Sequence, residues 1–194
     1  GGILPSIGGN IRVGHSETFL TEACEYTNSF LSFFPTVDVI LNIEEDHLDF
    51  FKDLADIRHS FHRFAELLPA HGLLAMNGDI KNIDEITDGV DADLVTYKVS
   101  GEADYTASDI TYDRQGCASF TLVHKGTPVG PVELHVPGIH NVSNALAAIA
   151  VGRLLDLPDD VIVKGLGSFT GTDRRFQYKG EIGGITIIDD YAHH

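Results

Sequence analysis

Residues 36–41 read Thr-Val-Asp-Val-Ile-Leu and break at once into the polar stretch Asn42-Ile43-Glu44-Glu45-Asp46-His47-Leu48-Asp49. A short β-branched run of this kind is a strand buried on both faces, the hallmark of a parallel sheet flanked by helices. Its polar continuation then falls at a strand's carboxyl end, where open α/β sheets bind ligands. The following segments fit that frame. Residues 56–68 place Ile57, Phe61, Phe64, Leu67 and Leu68 at helical steps and close on Pro69 and Gly72. Residues 72–76 read as the next strand, 81–86 as a short helix and 93–97 as a third strand.

From residue 101 to 137 the pattern shifts to short alternating segments divided by Arg114-Gln115-Gly116 and Lys125-Gly126-Thr127. This predicts a small antiparallel meander attached to the α/β body. An Ala-rich helix is expected over 141–155 and a second from Pro158 to about Gly165, with Pro158 in its first turn. A final strand is expected over 185–188. The predicted fold class is therefore α/β, a mostly parallel sheet flanked by helices and carrying a small antiparallel meander.

The chain has 29 acidic residues against 13 Lys and Arg, a formal charge of −16. That balance argues against a nucleic-acid or anionic-membrane surface, although local charges and helix N-termini can still hold a nucleotide. No apolar run approaches the roughly 18 residues of a spanning helix, and no secretion signal opens the chain. Cys24 and Cys117 form no C-x-x-C pair, so a reduced cytoplasmic setting is expected.

Five groups could carry chemistry. Glu22-Ala23-Cys24-Glu25-Tyr26 is either a polar strand end or part of a site. The carboxylates and imidazole of residues 44–49 suit a hard divalent cation, or an acidic helix start. Residues 137–145 bring His140, Asn141 and Asn144 to a helix start, where one cap would need only one amide; these groups can also bond a heterocycle edge. Thr170-Gly171-Thr172-Asp173-Arg174-Arg175-Phe176 resembles an anion clamp, or two arginines in surface ion pairs. Asp189-Asp190-Tyr191-Ala192-His193-His194 could supply ribose acceptors, metal ligands or only a solvated strand end.

In this order and spacing, the blocks E-A-C-E-Y, N-I-x-x-D-H-x-D, G-x-H-N-x-x-N-A, G-T-x-R-R-F and D-D-Y-A-H-H resemble the Mur ligases, from Glu22 to His194. The resemblance implies an ATP-dependent, amide-forming ligase of peptidoglycan precursor synthesis, working through an acyl phosphate. Its last block resembles the branch that adds L-alanine to UDP-N-acetylmuramate, or the branch that recycles murein tripeptide, and E-A-C-E-Y with residues 8–14 favours the former. By motif, Glu22 and His47 are implied as the Mg²⁺ or Mn²⁺ pair, with His47 also near substrate. His140, Asn141 and Asn144 are implied to face adenine. Arg175, with Arg174 as a second, is implied to meet the transferred phosphate, Asp190 the ribose, and Tyr191 and His193 the amino acid.

The family's P-loop, G-x-x-x-x-G-K-[ST], does not occur here, and residues 58–63 lack the lysine that several relatives carbamylate. The expectation is a central ATP-binding domain over 1–184, incomplete at its N-terminus and inactive alone. Residues 185–194 are expected to form the final strand and a hinge into a further domain. A nucleotide-binding module without catalysis, or a metal-dependent hydrolase on Glu22, Asp46 and His47, are the rival readings.

Overall fold

The computed structural model describes residues 2–192. β1 (Val37–Ile40), α1 (Leu54–Ala65), β2 (Leu73–Asn77), α2 (Asp84–Thr87) and β3 (Asp93–Tyr97) follow in chain order. β1 pairs in parallel with β2, Val37 opposite Leu73, and β2 with β3, Leu73 opposite Asp93. Parallel neighbours need crossover connections, which α1 and α2 supply.

The helix boundaries have local causes. α1 starts two residues before the predicted position because Asp53, in extended backbone, caps it by accepting from the Asp56 N–H at 3.0 Å. It ends at Ala65, and Leu67 and Leu68 continue in tighter i→i+3 turns onto Phe64 and Ala65. α2 starts later than expected because Asn82 sits in left-handed backbone, φ 50°, which no helix tolerates. Arg58 of α1 fills the carbonyls of Lys81 and Asn82 at 2.7 and 2.6 Å and also meets Glu85. His62 reaches the Ile86 carbonyl at 3.0 Å. These two basic groups of the lysine-free stretch thus brace α1 against α2.

β4 (Tyr105–Tyr112), β5 (Cys117–His124) and β6 (Thr127–Pro137) form the antiparallel meander. The attachment is made by β4, which meets β3 in parallel at Tyr97 and Tyr105, so all six strands form one sheet in the order β1 to β6. Lys125 and Gly126 both take positive φ, 48° and 77°, as a two-residue hairpin turn matched to strand twist requires. α3 (Ile139–Leu154) and α4 (Asp159–Ser168) follow, with Pro158 as the extended N-cap and α4 running three residues past the expected end.

The chain then forms β7 (Gln177–Ile182) and β8 (Ile185–Asp189), an antiparallel hairpin that is a sheet of its own. The expected final strand is β8. Its partner β7, Gln-Tyr-Lys-Gly-Glu-Ile, is largely exposed and carries no buried alternation to betray it. The division expected between residues 184 and 185 falls in the turn of this hairpin.

α1 and α2 cover one face of the parallel strands, packing Ala65, Leu68 and Ile86 against Ile40, Leu74 and Met76. α3 and α4 cover the other, with Val142, Leu146, Ile149 and Ile162 against Leu73, Ala75, Phe120, Leu122 and Val132. At the carboxyl edge the buried Tyr97 hydroxyl donates to the Ile40 carbonyl at 3.0 Å, tying the end of β3 to the end of β1. No helix among the described residues is long and apolar enough to cross a membrane.

Asp38 interrupts the α1 face. It is 3% exposed, and its Oδ2 has no hydrogen-bond partner among the described residues. Burial raises its carboxyl to about 7, whereas an unfolded aspartate ionises at about 4. The folded chain therefore holds this proton more tightly. The associated stability is full at low pH and is lost as pH rises through about 7, by on the order of 4 kcal/mol at most. Asp38→Val should thus raise Tm by about 5 °C or more at pH 8 and by much less at pH 4.5. Thermal melts of both proteins at the two pH values check this, and an equal shift at both would rule out titration as the cause.

Candidate active-site cleft

The loop leaving β1 turns back on itself at His47, whose φ is 52°. Its backbone is held from both sides. The His47 N–H donates to Asp46 Oδ1 at 2.7 Å, and its carbonyl accepts from Phe50 and Phe51 at 2.8 and 2.9 Å. Phe51 is buried and fastens the loop to the core. So fixed, the imidazole Nε2 lies 3.5 Å from Glu25 Oε1 and 3.8 Å from Asp46 Oδ2. One ligand atom from each of Glu25, Asp46 and His47 falls within 4.8 Å of the others, and all three residues are half-buried. Two carboxylate oxygens and one imidazole nitrogen form a donor set that fits a divalent cation such as Mg²⁺ or Mn²⁺.

Glu22, the expected partner of His47, is not in this trio; it lines the adjoining cleft. Glu25 stood in the same five-residue block and had no role assigned. Thr27 and Asn28 are left-handed, φ 55° and 58°, and reverse the chain directly after it. That reversal was not legible in residue types, although Asn tolerates the conformation better than most.

The start of α3 is equally local. Gly138 is its N-cap with φ 97°, and a Cβ there would stand 2.6 Å from the His140 ring, so only glycine lets the imidazole fold back over the turn. The Asn141 side-chain amide donates to the Pro137 carbonyl at 2.8 Å and lies 3.2 Å from His140 Nε2. Its oxygen accepts from Asn144 at 3.3 Å. The two amides and the imidazole thus form one chain of hydrogen bonds on the exposed rim of α3.

The arginine loop and the last block are knit together. Asp190 Oδ2 accepts from the Phe176 N–H at 2.7 Å, and the Tyr191 N–H donates to the Arg174 carbonyl at 2.8 Å. The Arg174 guanidinium lies over the Tyr191 ring, 5.0 Å from its centroid. Arg174 is thereby committed to the ring, while Arg175 faces the cleft. His193 lies outside the described residues.

One open cleft of about 2120 Å³ is lined by Glu22, Glu25, Asn42, His140, Asn141, Asn144, Arg175 and Asp190. Four of the five sequence blocks are represented by a predicted site residue on its wall, and the loop after β1 reaches it through Asn42. His47 sits beside this lining, held to it through Glu25, and Tyr191 directly follows the lining residue Asp190.

Residues 5–152 match the Mur ligase middle domain. The chain is 56% identical over its whole length to a UDP-N-acetylmuramate–L-alanine ligase of Agathobacter rectalis, and 52% identical to one of Lachnospira eligens. It spans 42% of the length of each. Among solved structures it resembles MurF from Acinetobacter baumannii, with 25% identity and a TM-score of 0.73 over 84% of this chain and 35% of that one. It also resembles the UDP-N-acetylmuramate-alanine ligase MurC from Thermotoga maritima, with 27% identity and a TM-score of 0.71 over 86% of this chain and 37% of that one. This chain belongs to the Mur ligase family and carries its middle domain.

Proposed function

We propose that this chain is the ATP-handling part of a cytoplasmic ligase that joins L-alanine to UDP-N-acetylmuramate. The observation that carries the proposal is the cleft itself, which gathers polar groups from distant blocks around a space large enough for a nucleotide. The names of the Agathobacter rectalis and Lachnospira eligens relatives support the alanine-adding branch.

In the proposed reaction the lactyl carboxylate of the muramate attacks the terminal phosphorus of ATP, and ADP leaves. The amino group of L-alanine then attacks the acyl phosphate carbon, an amide forms, and phosphate departs with the bonding electron pair. Such transfers depend on positioning and charge neutralisation more than on a protein nucleophile. Arg175 presents a fixed cation to the transferred phosphate. The His140–Asn141–Asn144 rim meets the adenine edge, and Asp190, with one oxygen already held by Phe176, offers the other to a ribose hydroxyl. Glu25, Asp46 and His47 would hold the divalent cation, with Glu22 on the wall nearby; the cation, when bound, offsets phosphate charge. Tyr191 is assigned to the amino-acid end, the role that the family resemblance also gives His193. The β7–β8 hairpin serves as the joint to the following domain, so the boundary belongs ahead of Gln177 and not within the hairpin turn.

Two outcomes follow for an intact ligase carrying this chain. With UDP-N-acetylmuramate and ATP, L-alanine should drive phosphate release, and the tripeptide L-alanyl-γ-D-glutamyl-meso-diaminopimelate should not. Preference for the tripeptide would move the protein to the recycling branch. Arg175→Ala should lower kcat by about 10²–10³, while Arg174→Ala, which removes a group stacked on Tyr191, should cost far less. Steady-state kinetics of the two variants distinguish them, and equal losses would overturn the division of roles.

A further inference from the structure

The cation trio has a neighbour that supplies no ligand atom. The Tyr26 ring lies against the His47 imidazole, with centroids 4.4 Å apart and planes at 28°. Its hydroxyl donates to Asp49 Oδ2 at 2.7 Å, and its edge meets Phe50 at 6.1 Å. Tyr26 is thus the point at which the segment bearing Glu25 and the loop bearing Asp46 and His47 are fastened.

Its own backbone is anchored. Tyr26 opens the 3-10 segment Tyr26–Ser32, in which Phe30 is buried against Phe61 and Phe64 of α1. The Phe30 N–H donates to the Cys24 carbonyl at 2.9 Å, and the Asn28 N–H to the Glu25 carbonyl at 2.8 Å. A histidine on a loop can turn about two side-chain bonds, and Nε2 faces Glu25 and Asp46 only when the ring plane is fixed. Neighbouring groups that orient a metal-binding imidazole tune affinity as strongly as some direct ligands.

We propose that Tyr26 is a positioning residue of the cation site: its ring sets the plane of the His47 imidazole, and its hydroxyl, through Asp49, sets the loop. The proposal rests on the cation reading of Glu25, Asp46 and His47. It extends to chemistry that the spacing of acids and histidine does not reveal, because Tyr26 offers the cation nothing directly.

The test is Mn²⁺ binding to the purified chain, followed by water-proton relaxation, alongside the NMR positions of the His47 ring protons without metal. His47→Ala should abolish most of the binding. Tyr26→Leu should weaken it about tenfold and move the His47 ring protons downfield as the ring current is lost, with little change in Tm. Tyr26→Phe keeps the ring and loses only the hydroxyl bond, so it should cost under about threefold and leave the ring-current shift in place. If Tyr26→Leu leaves both readouts unchanged while His47→Ala abolishes binding, the positioning role is overturned and the cation reading stands. If His47→Ala itself leaves Mn²⁺ binding intact, the cation reading fails and takes the positioning role with it. Should Tyr26→Leu fail to fold, Asp49→Asn provides the second arm. It weakens the hydroxyl's acceptor on an exposed side chain, so like Tyr26→Phe it should lower Mn²⁺ affinity by under about threefold and leave the ring-current shift in place. Unchanged Mn²⁺ affinity would count against the role of the hydroxyl.

Discussion

Three parallel strands covered by α1 and α2 on one face and by α3 on the other leave polar side chains no low-energy place except the strand ends. Burying an unpaired polar group costs several kcal/mol in an apolar layer, and Asp38 shows what happens when one is retained: its carboxyl gives up its charge until the pH reaches about 7. The same pressure puts Asn42, Asp46 and His47 beyond the last residue of β1. The Tyr97 hydroxyl on the Ile40 carbonyl holds that exit in place, so the loop departs from a fixed point. The position of the acidic loop, and through Glu25 and Tyr26 that of the segment before β1, follows from this layering.

The remaining walls of the cleft depend on short-range hydrogen bonds more than on the core. Gly138 permits the fold-back of His140, Asn141 braces the first turn of α3, and Asp190 caps the Phe176 N–H. These contacts cost little to form because each joins residues near in sequence or in adjoining strands. They also spend part of the hydrogen-bonding capacity of the side chains that the family resemblance places against nucleotide. The Asn141 amide in particular is engaged on both its nitrogen and its oxygen, so His140 and Asn144 are left as the more available edge groups of the rim.

Much of the architecture was legible because it rests on periodicity and turn chemistry. The run at 36–41 became β1, the Lys125-Gly126 pair became the hairpin turn, and the small-residue helix became α3. What escaped has a physical reason in each case. β7 is exposed on both faces, so no alternation marks it. The union of meander and parallel sheet turns on one residue pair, Tyr97 with Tyr105, which composition cannot signal. The motif blocks identified the family, and four of the five bring a predicted residue to the cleft wall. The grouping of Glu25 with Asp46 and His47 depends on left-handed backbone at Thr27, Asn28 and His47, whereas the family resemblance implied Glu22 as the partner of His47.

On the proposed reading, these distant segments form one nucleotide site. Hydrogen–deuterium exchange of an intact ligase carrying this chain, with and without a non-hydrolysable ATP analogue and Mg²⁺, should then show joint protection of residues 43–49, 139–145 and 171–176 at one ligand concentration, since a single ligand orders all three. Protection confined to other segments, or appearing in these three at separate concentrations, would mean that they are not one site.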